Sequence, residues 1–149
     1  MIRELNKTED YPWKLLLNAD PNQSLVEDYL KRGQVYVYEE QENILGVVVL
    51  MERSKNQYEV MNVSTDENHL RKGIARALLQ HALTQLPKNE HLEVLVKTGD
   101  ISIEAVKLYQ SLGFEILETV KDYFVENYPE PIYEHGELLR NQVIMHMFL

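Results

Sequence analysis

MNVSTDENHLRKGIARALL, residues 61–79, runs from a strand through a polar loop into a helix. The strand is expected over 57–65. The helix is expected over 71–86, because Ala75, Leu78, Leu79, Ala82, Leu83 and Leu86 recur at helical spacing and Pro87 closes the run. Their junction is cationic, with Arg71, Lys72 and Arg76 close together. The first N–H groups of a helix have no intrahelical acceptor, and the dipole places partial positive charge behind them, so such a start is an anion site. Gly73 and Ala75 keep bulk away, which lets a phosphate group reach the backbone. A pyrophosphate suits these residues. So does an ordinary helix start whose glycine eases packing against the strand.

Outward from this junction the chain changes texture. Upstream, a short strand is expected over 3–6, helices over 11–18 and 24–32 separated by Asp20-Pro21, and strands over 34–39 and 43–52 joined by a polar turn at Gln41, Glu42 and Asn43. Downstream come a short apolar strand over 92–96 and a helix with Ala105, Leu108, Tyr109 and Leu112 on one face, stopped by Gly113. The last strands are expected over 114–120 and 142–149, with the aromatic segment DYFVENYPEPIYEHG between them. Antiparallel strands followed by a β–α–β–α–β portion make an α/β fold of the mixed-sheet, α+β kind.

The 149 residues suit a single domain, 1–149, with no internal repeat or Gly/Ser-rich linker. The composition is 44% hydrophobic and 26% charged, that of a folded chain rather than a disordered or fibrous one. The longest apolar run, residues 44–51, is shorter than a membrane span needs, and the opening MIRELNKTED has no apolar signal region. A cytoplasmic protein without membrane contact is therefore expected. Fifteen basic against twenty-four acidic residues, net −9, argue against a nucleic-acid partner and fit a cationic one.

Several chemistries are excluded by residue type. With no cysteine there is no thiolate nucleophile and no thiolate metal site. The six glycines allow neither a GxGxxG nor a GxxxxGK phosphate loop, no serine sits in a GxSxG elbow, and the histidines never fall at HxxxH spacing. No metal is expected.

Leu70-Arg71-Lys72-Gly73-Ile74-Ala75 resembles the Gln/Arg-x-x-Gly-x-Gly/Ala loop of the GNAT superfamily of acetyl-CoA-dependent N-acetyltransferases, with Leu70 in the Gln/Arg position. A second family pattern, Asn-x-x-Ala-x-x-Leu-Tyr-x-x-x-Gly-Phe, is met by Ala105, Leu108, Tyr109, Gly113 and Phe114, with Ser102 in place of Asn. The resemblance spans nearly the whole chain and is similar to a bacterial subgroup. It implies a GNAT-like fold, a central, mostly antiparallel sheet of about seven strands flanked by helices on both faces.

The resemblance also implies a chemistry. Acetyl-CoA is the co-substrate and coenzyme A the product, bound by Val63, Ser64 and Thr65 along the strand, by Leu70, Arg71, Lys72, Gly73, Ile74, Ala75 and Arg76 in the turn, and by Asp100 and Ser102. This requires the 57–65 strand to splay from the 92–96 strand, leaving a backbone N–H near Val63 to polarise the acetyl carbonyl. Tyr109 is implied as the general acid that protonates the leaving thiolate; its other reading is the aromatic member of a buried stripe. Glu59 is the general-base candidate. Alternation puts it on the apolar face of Met61 and Val63, where partial desolvation favours taking up a proton; its other readings are a solvent-facing carboxylate or one paired with a nearby Lys or Arg.

The acceptor implied is a primary amine, a small molecule or a peptide, with cationic character, acetylated in a direct ternary complex because no cysteine can carry the acetyl group. Tyr-rich 123–133, interleaved with Asp122, Glu126 and Glu130, is a candidate acceptor wall, and Tyr36 and Tyr38 are others; all these rings equally suit packing. A homodimer stays open. The alternative function is a GNAT-fold module that binds or senses acyl-CoA without turnover.

Overall fold

A computed structural model of the chain describes residues 1–88 and 91–149. It separates into two compact units, Met1–Lys88 and Asn89–Leu149.

In the first unit, β1 (Ile2–Glu4), β2 (Gln34–Glu40), β3 (Asn43–Ser54) and β4 (Gln57–Thr65) pair in that order, each antiparallel to the next. Residues Gln41 and Glu42, at φ +50° and +68°, form the two-residue turn between β2 and β3, whose twist matches the strands it joins. Helices α1 (Trp13–Ala19) and α2 (Gln23–Arg32) cover one face. Leu15 and Leu16 of α1 and Val26, Tyr29 and Leu30 of α2 are buried there against Val35, Val37, Val47, Val49 and Met51. The Asn22 side chain caps α2 by accepting from the Leu25 N–H at 3.1 Å. The third helix, α3 (Ile74–Thr84), takes the opposite face, where His81 meets the Tyr36 ring edge-on and Ile74 and Leu78 crowd Gly46. Helices on both faces are as expected for this unit.

In the second unit, β5 (Glu93–Gly99), α4 (Ile103–Ser111), β6 (Glu115–Val120), α5 (Tyr123–Asn127), β7 (Tyr133–Glu134), β8 (Glu137–Leu138) and β9 (Gln142–Phe148) follow one another. The last strand lies between β5 and β6 and runs antiparallel to both, so β5 and β6 are parallel to each other and α4 is their crossover. Leu92, Val94, Val96, Tyr109, Phe114, Leu139, Val143 and Met145 are its buried residues. The main strands thus number four in one unit and three in the other, a mixed α/β fold of antiparallel pairs.

Two expectations change. The segment after β6 holds α5 and the small β7–β8 hairpin, turned at His135 and Gly136 with φ +52° and +81°. The helix expected over 71–86 begins only at Ile74, because Arg71 and Gly73 take φ +62° and +79° and no helix continues through such residues.

A Cβ on Gly46 would come within 2.7 Å of Ile74 Cγ2 and 2.9 Å of Leu78 Cδ1. Gly46→Val is therefore expected to destabilise the protein by about 1–3 kcal/mol through overpacking. Calorimetry should show a melting temperature lowered by roughly 2–4 °C for each kcal/mol.

Candidate functional site

The turn that leads into α3 is built by its own side chains. Asp66 accepts from the Asn68 N–H at 2.8 Å and caps a single 3-10 turn, Glu67–His69. That backbone N–H, with the His69 ring, holds the Asp66 carboxyl below the usual carboxylate range. Leu70, Arg71, Lys72, Gly73 and Arg76 are exposed, Ala75 is half-buried, and the Ile74 side chain anchors the helix start in the core. Gly73 is the N-cap, so no side chain caps the helix, and its first turn has no acidic residue. A Cβ at Gly73 would meet nothing within 4 Å, so the space over the turn is open. The described geometry is an N-terminal anion cradle with three cationic side chains around it.

Beside it, β4 departs from plain alternation. Val63 faces Val48 and Asn62 faces Val49, but Leu50 is then opposite Val60, so Met61 is one residue too many. This bulge shifts the phase of the strand. Glu59 therefore does not share a face with Val63, as alternation implied. It lies opposite Met51 on the side covered by α1 and α2, while Val63 takes the α3 side. Glu59 is only 4% exposed. Its Oε1 lies 3.6 Å from Nη1 of Arg53, itself extra to the β3 side of the pairing, so the reading of a carboxylate with a cationic neighbour holds. Ser64 is buried and Val63 and Thr65 are half-buried.

A buried amide that sequence reasoning passed over sits next to the bulge. Asn62 Nδ2 donates to the Leu16 carbonyl at 3.0 Å and to the Tyr29 hydroxyl at 2.9 Å. The available signal was a lone Asn in a strand of otherwise buried character.

In the second unit, Tyr109 is 7% exposed and its ring meets Phe114 edge-on at 5.9 Å. Burial pushes its phenol up to about 12. No hydrogen bond engages its hydroxyl among the described residues, so the ring is packed and the proton is retained at neutral pH. Asp100 accepts from Asn141 Nδ2 at 3.0 Å, and its N–H donates to the Asn141 carbonyl at 3.1 Å. Ser102, the N-cap of α4, donates its hydroxyl to Glu134 Oε2 at 2.8 Å. The aromatic segment is a ring stack rather than an open wall: Tyr123, Phe124 and Tyr128 touch in turn, and Asp122 pairs with Arg140 at 3.3 Å. Tyr133 is exposed, Tyr36 is buried under α3, and the Tyr38 hydroxyl donates to Glu40.

The first unit thus brings together Glu59, Val63, Ser64, Thr65 and the 70–76 turn, and the second holds Tyr109, Asp100 and Ser102. Because the Tyr109 pKa is higher in the folded state than the ordinary 10.0, the contribution of this group to stability is complete below pH 10 and declines as pH rises towards about 12. Urea unfolding at a series of pH values should show a steeper alkaline loss for the native protein than for Tyr109→Phe.

Among the described residues no group of three or more His, Cys, Asp or Glu is placed to hold a metal ion, and no helix is long and apolar enough to cross a membrane. Residues 31–116 match the family model of the acetyltransferase (GNAT) domain. An uncharacterised N-acetyltransferase of Bacillus subtilis is 32% identical over 143 residues, 96% of this chain and 92% of that protein. A GNAT family acetyltransferase from Elizabethkingia anophelis, solved with acetyl-CoA bound, superposes with a TM-score of 0.93 at 30% identity, covering 100% of this chain and 97% of that one. An IAA acetyltransferase from Bacillus cereus ATCC 14579 gives 0.92 at 34% identity, with coverage of 100% and 99%. A family match over more than half the chain, extended by a relative alike over nearly all of it, makes this protein a member of the GNAT acetyltransferase family.

Proposed function

We propose that this protein transfers the acetyl group of acetyl-CoA to the nitrogen of a primary amine, both substrates being bound together, with residues 1–149 acting as one transferase domain. The observation that carries the reading is the turn into α3. It offers uncapped helix N–H groups, a positive-φ glycine with open space above it and three cationic side chains, on a chain of net charge −9. The Elizabethkingia relative, with acetyl-CoA bound, supports the same ligand here. Acetyl-CoA supplies a thioester, an activated acyl group with a thiolate leaving group.

The remaining chemistry falls to the chain. Backbone N–H groups of Gly73, Ile74 and Ala75, helped by Arg71, Lys72 and Arg76, take the pyrophosphate; Leu70 is exposed and apolar and contributes no charge. Val63, Ser64 and Thr65 lie along the pantetheine arm as an added strand does, and a backbone N–H near Val63 polarises the acetyl carbonyl. Asp100 and Ser102 complete the cofactor contacts, Ser102 exchanging its bond to Glu134 for one to the ligand. Glu59 takes the proton from the amine, directly or through water, with Arg53 beside it. Tyr109 holds its proton to about pH 12 and delivers it to the departing sulfur.

The acceptor class is a small cationic amine or a peptide amine, favoured by the acidic surface and by Asp122, Glu126 and Glu130 around the rings of α5. A module that only binds acyl-CoA has no use for both a buried carboxylate and a buried phenol.

Coenzyme A at about 100 times its dissociation constant should stabilise the fold by roughly 2.7 kcal/mol. A thermal shift with coenzyme A, absent with ATP or NAD, is the expected result; the converse pattern overturns the assignment. Gly73→Glu should abolish the shift by placing bulk and negative charge in the phosphate space. Its positive φ adds a strain of about 1–2 kcal/mol to the folded variant.

Thiol release from acetyl-CoA with a panel of amines measures turnover. Tyr109→Phe should lower kcat about 10²–10⁴-fold and leave the coenzyme A thermal shift intact. A variant with normal turnover and a much lower melting temperature would make Tyr109 a packing residue only.

A further inference from the structure

Within the first unit, one hydrogen-bonded chain links the bulged strand to the helices above it. Asn62 is 4% exposed and follows the extra residue Met61. Its Nδ2 spends both protons, one on the Leu16 carbonyl of α1 and one on the Tyr29 hydroxyl of α2. Tyr29, 1% exposed, passes its own proton to Asp20 Oδ2 at 3.5 Å, and Asp20 Oδ1 accepts the Asn22 N–H at 3.1 Å. The chain thus runs from β4 through both helices to the turn that joins them. Burial, the dominant cause, and the Asp20 carboxylate both raise the Tyr29 phenol pKa, so the hydroxyl keeps its proton over the working pH range.

The arrangement is more than a filler. A strand residue at this site needs only to be apolar, since its neighbours Val49, Leu16 and Met51 are apolar and wholly buried. An amide there specifies one register, because only one alignment of β4 with α1 and α2 satisfies both of its protons. A bulge is where a strand most easily slips, and Asn62 lies between the two groups for which register matters, Glu59 and the Val63 backbone. A one-residue slip would exchange the faces of both.

We propose that Asn62 is a positioning residue for acetyl transfer. Acting through Tyr29 and Asp20, it locks the β4 bulge so that Glu59 and the Val63 N–H are held at fixed places relative to the α1–α2 turn. The inference rests on the acetyltransferase reading above. It predicts that the cost of breaking the chain falls on the rate of transfer and not on the hold on coenzyme A, whose pyrophosphate site lies at the turn beyond β4.

The test uses the full chain as Asn62→Leu, which removes both donors at similar volume, Tyr29→Phe, which keeps the ring, and the double variant. Turnover is measured by thiol release with acetyl-CoA and an amine panel, at a temperature where circular dichroism shows each variant folded. The expected result is a fall in kcat of tenfold or more for Asn62→Leu and a smaller fall for Tyr29→Phe. KM for acetyl-CoA stays within about twofold, and the double variant is no worse than Asn62→Leu alone, as members of one chain require. Lower melting temperatures with native kcat, or losses that multiply in the double variant, overturn the proposal. If the native protein releases no thiol with any amine, it is the enzymatic reading that fails. Amide hydrogen exchange then decides the lock itself: amides 60–63 should exchange at least tenfold faster in Asn62→Leu, and unchanged exchange overturns it.

Discussion

The pairing of β3 with β4 has one residue too many at Met61, and the first unit is organised around that surplus. A bulge breaks the two-residue period of a strand and turns the residues beyond it to the other face. Upstream of Met61, Glu59 faces the α1 and α2 layer; downstream, Val63 faces α3. Without the bulge the carboxylate and Val63 would compete for one side of the sheet. With it, the strand presents a buried acid on one face and hands its chain to the anion turn from the other. The buried hydrogen bonds of Asn62 secure the irregularity at the point where slippage would be easiest.

Electrostatics in this protein are local rather than global. A net charge of −9 would repel a polyanion at long range, yet the turn into α3 gathers Arg71, Lys72 and Arg76 where the helix dipole is also positive. Within a Debye length of roughly 8–10 Å such a cluster outweighs the distant acids. The acidic remainder then acts on other molecules, favouring a cationic amine over a second anion. One chain can in this way attract two substrates of opposite charge at different places.

The second unit uses tethers between remote segments to hold short elements. Asn141 joins Asp100 at the mouth of α4 to the Asp122 N–H ahead of α5, and Glu134 of the β7–β8 hairpin holds the Ser102 hydroxyl. Gly99 is required for the closeness of this packing, since a Cβ there would collide with Leu139. Helix α5 has five residues and the hairpin strands two each, too few to persist without such ties. Tyr109 is seated differently, by apolar burial beside Phe114, which fixes the ring and leaves the phenol protonated.

The sequence by itself determined the strand–turn–helix of 57–84, the spacing of Ala105, Leu108 and Tyr109 on one face, and the glycine at the anion turn. Each of these depends on periodicity, stops and caps that act within a few residues. Only the tertiary structure decided that the helix starts at Ile74 and not at Arg71, since two positive-φ residues are imposed by the way the turn meets β4 and the core. It also decided the face of Glu59, because a bulge is a mismatch between two strands and exists in neither alone. The partners of Asn62 lie 46 and 33 residues away, and that of Ser102 lies 32 away. Side-chain spacing is local, whereas register and the choice of hydrogen-bond partner are settled only when distant segments compete for the same buried space.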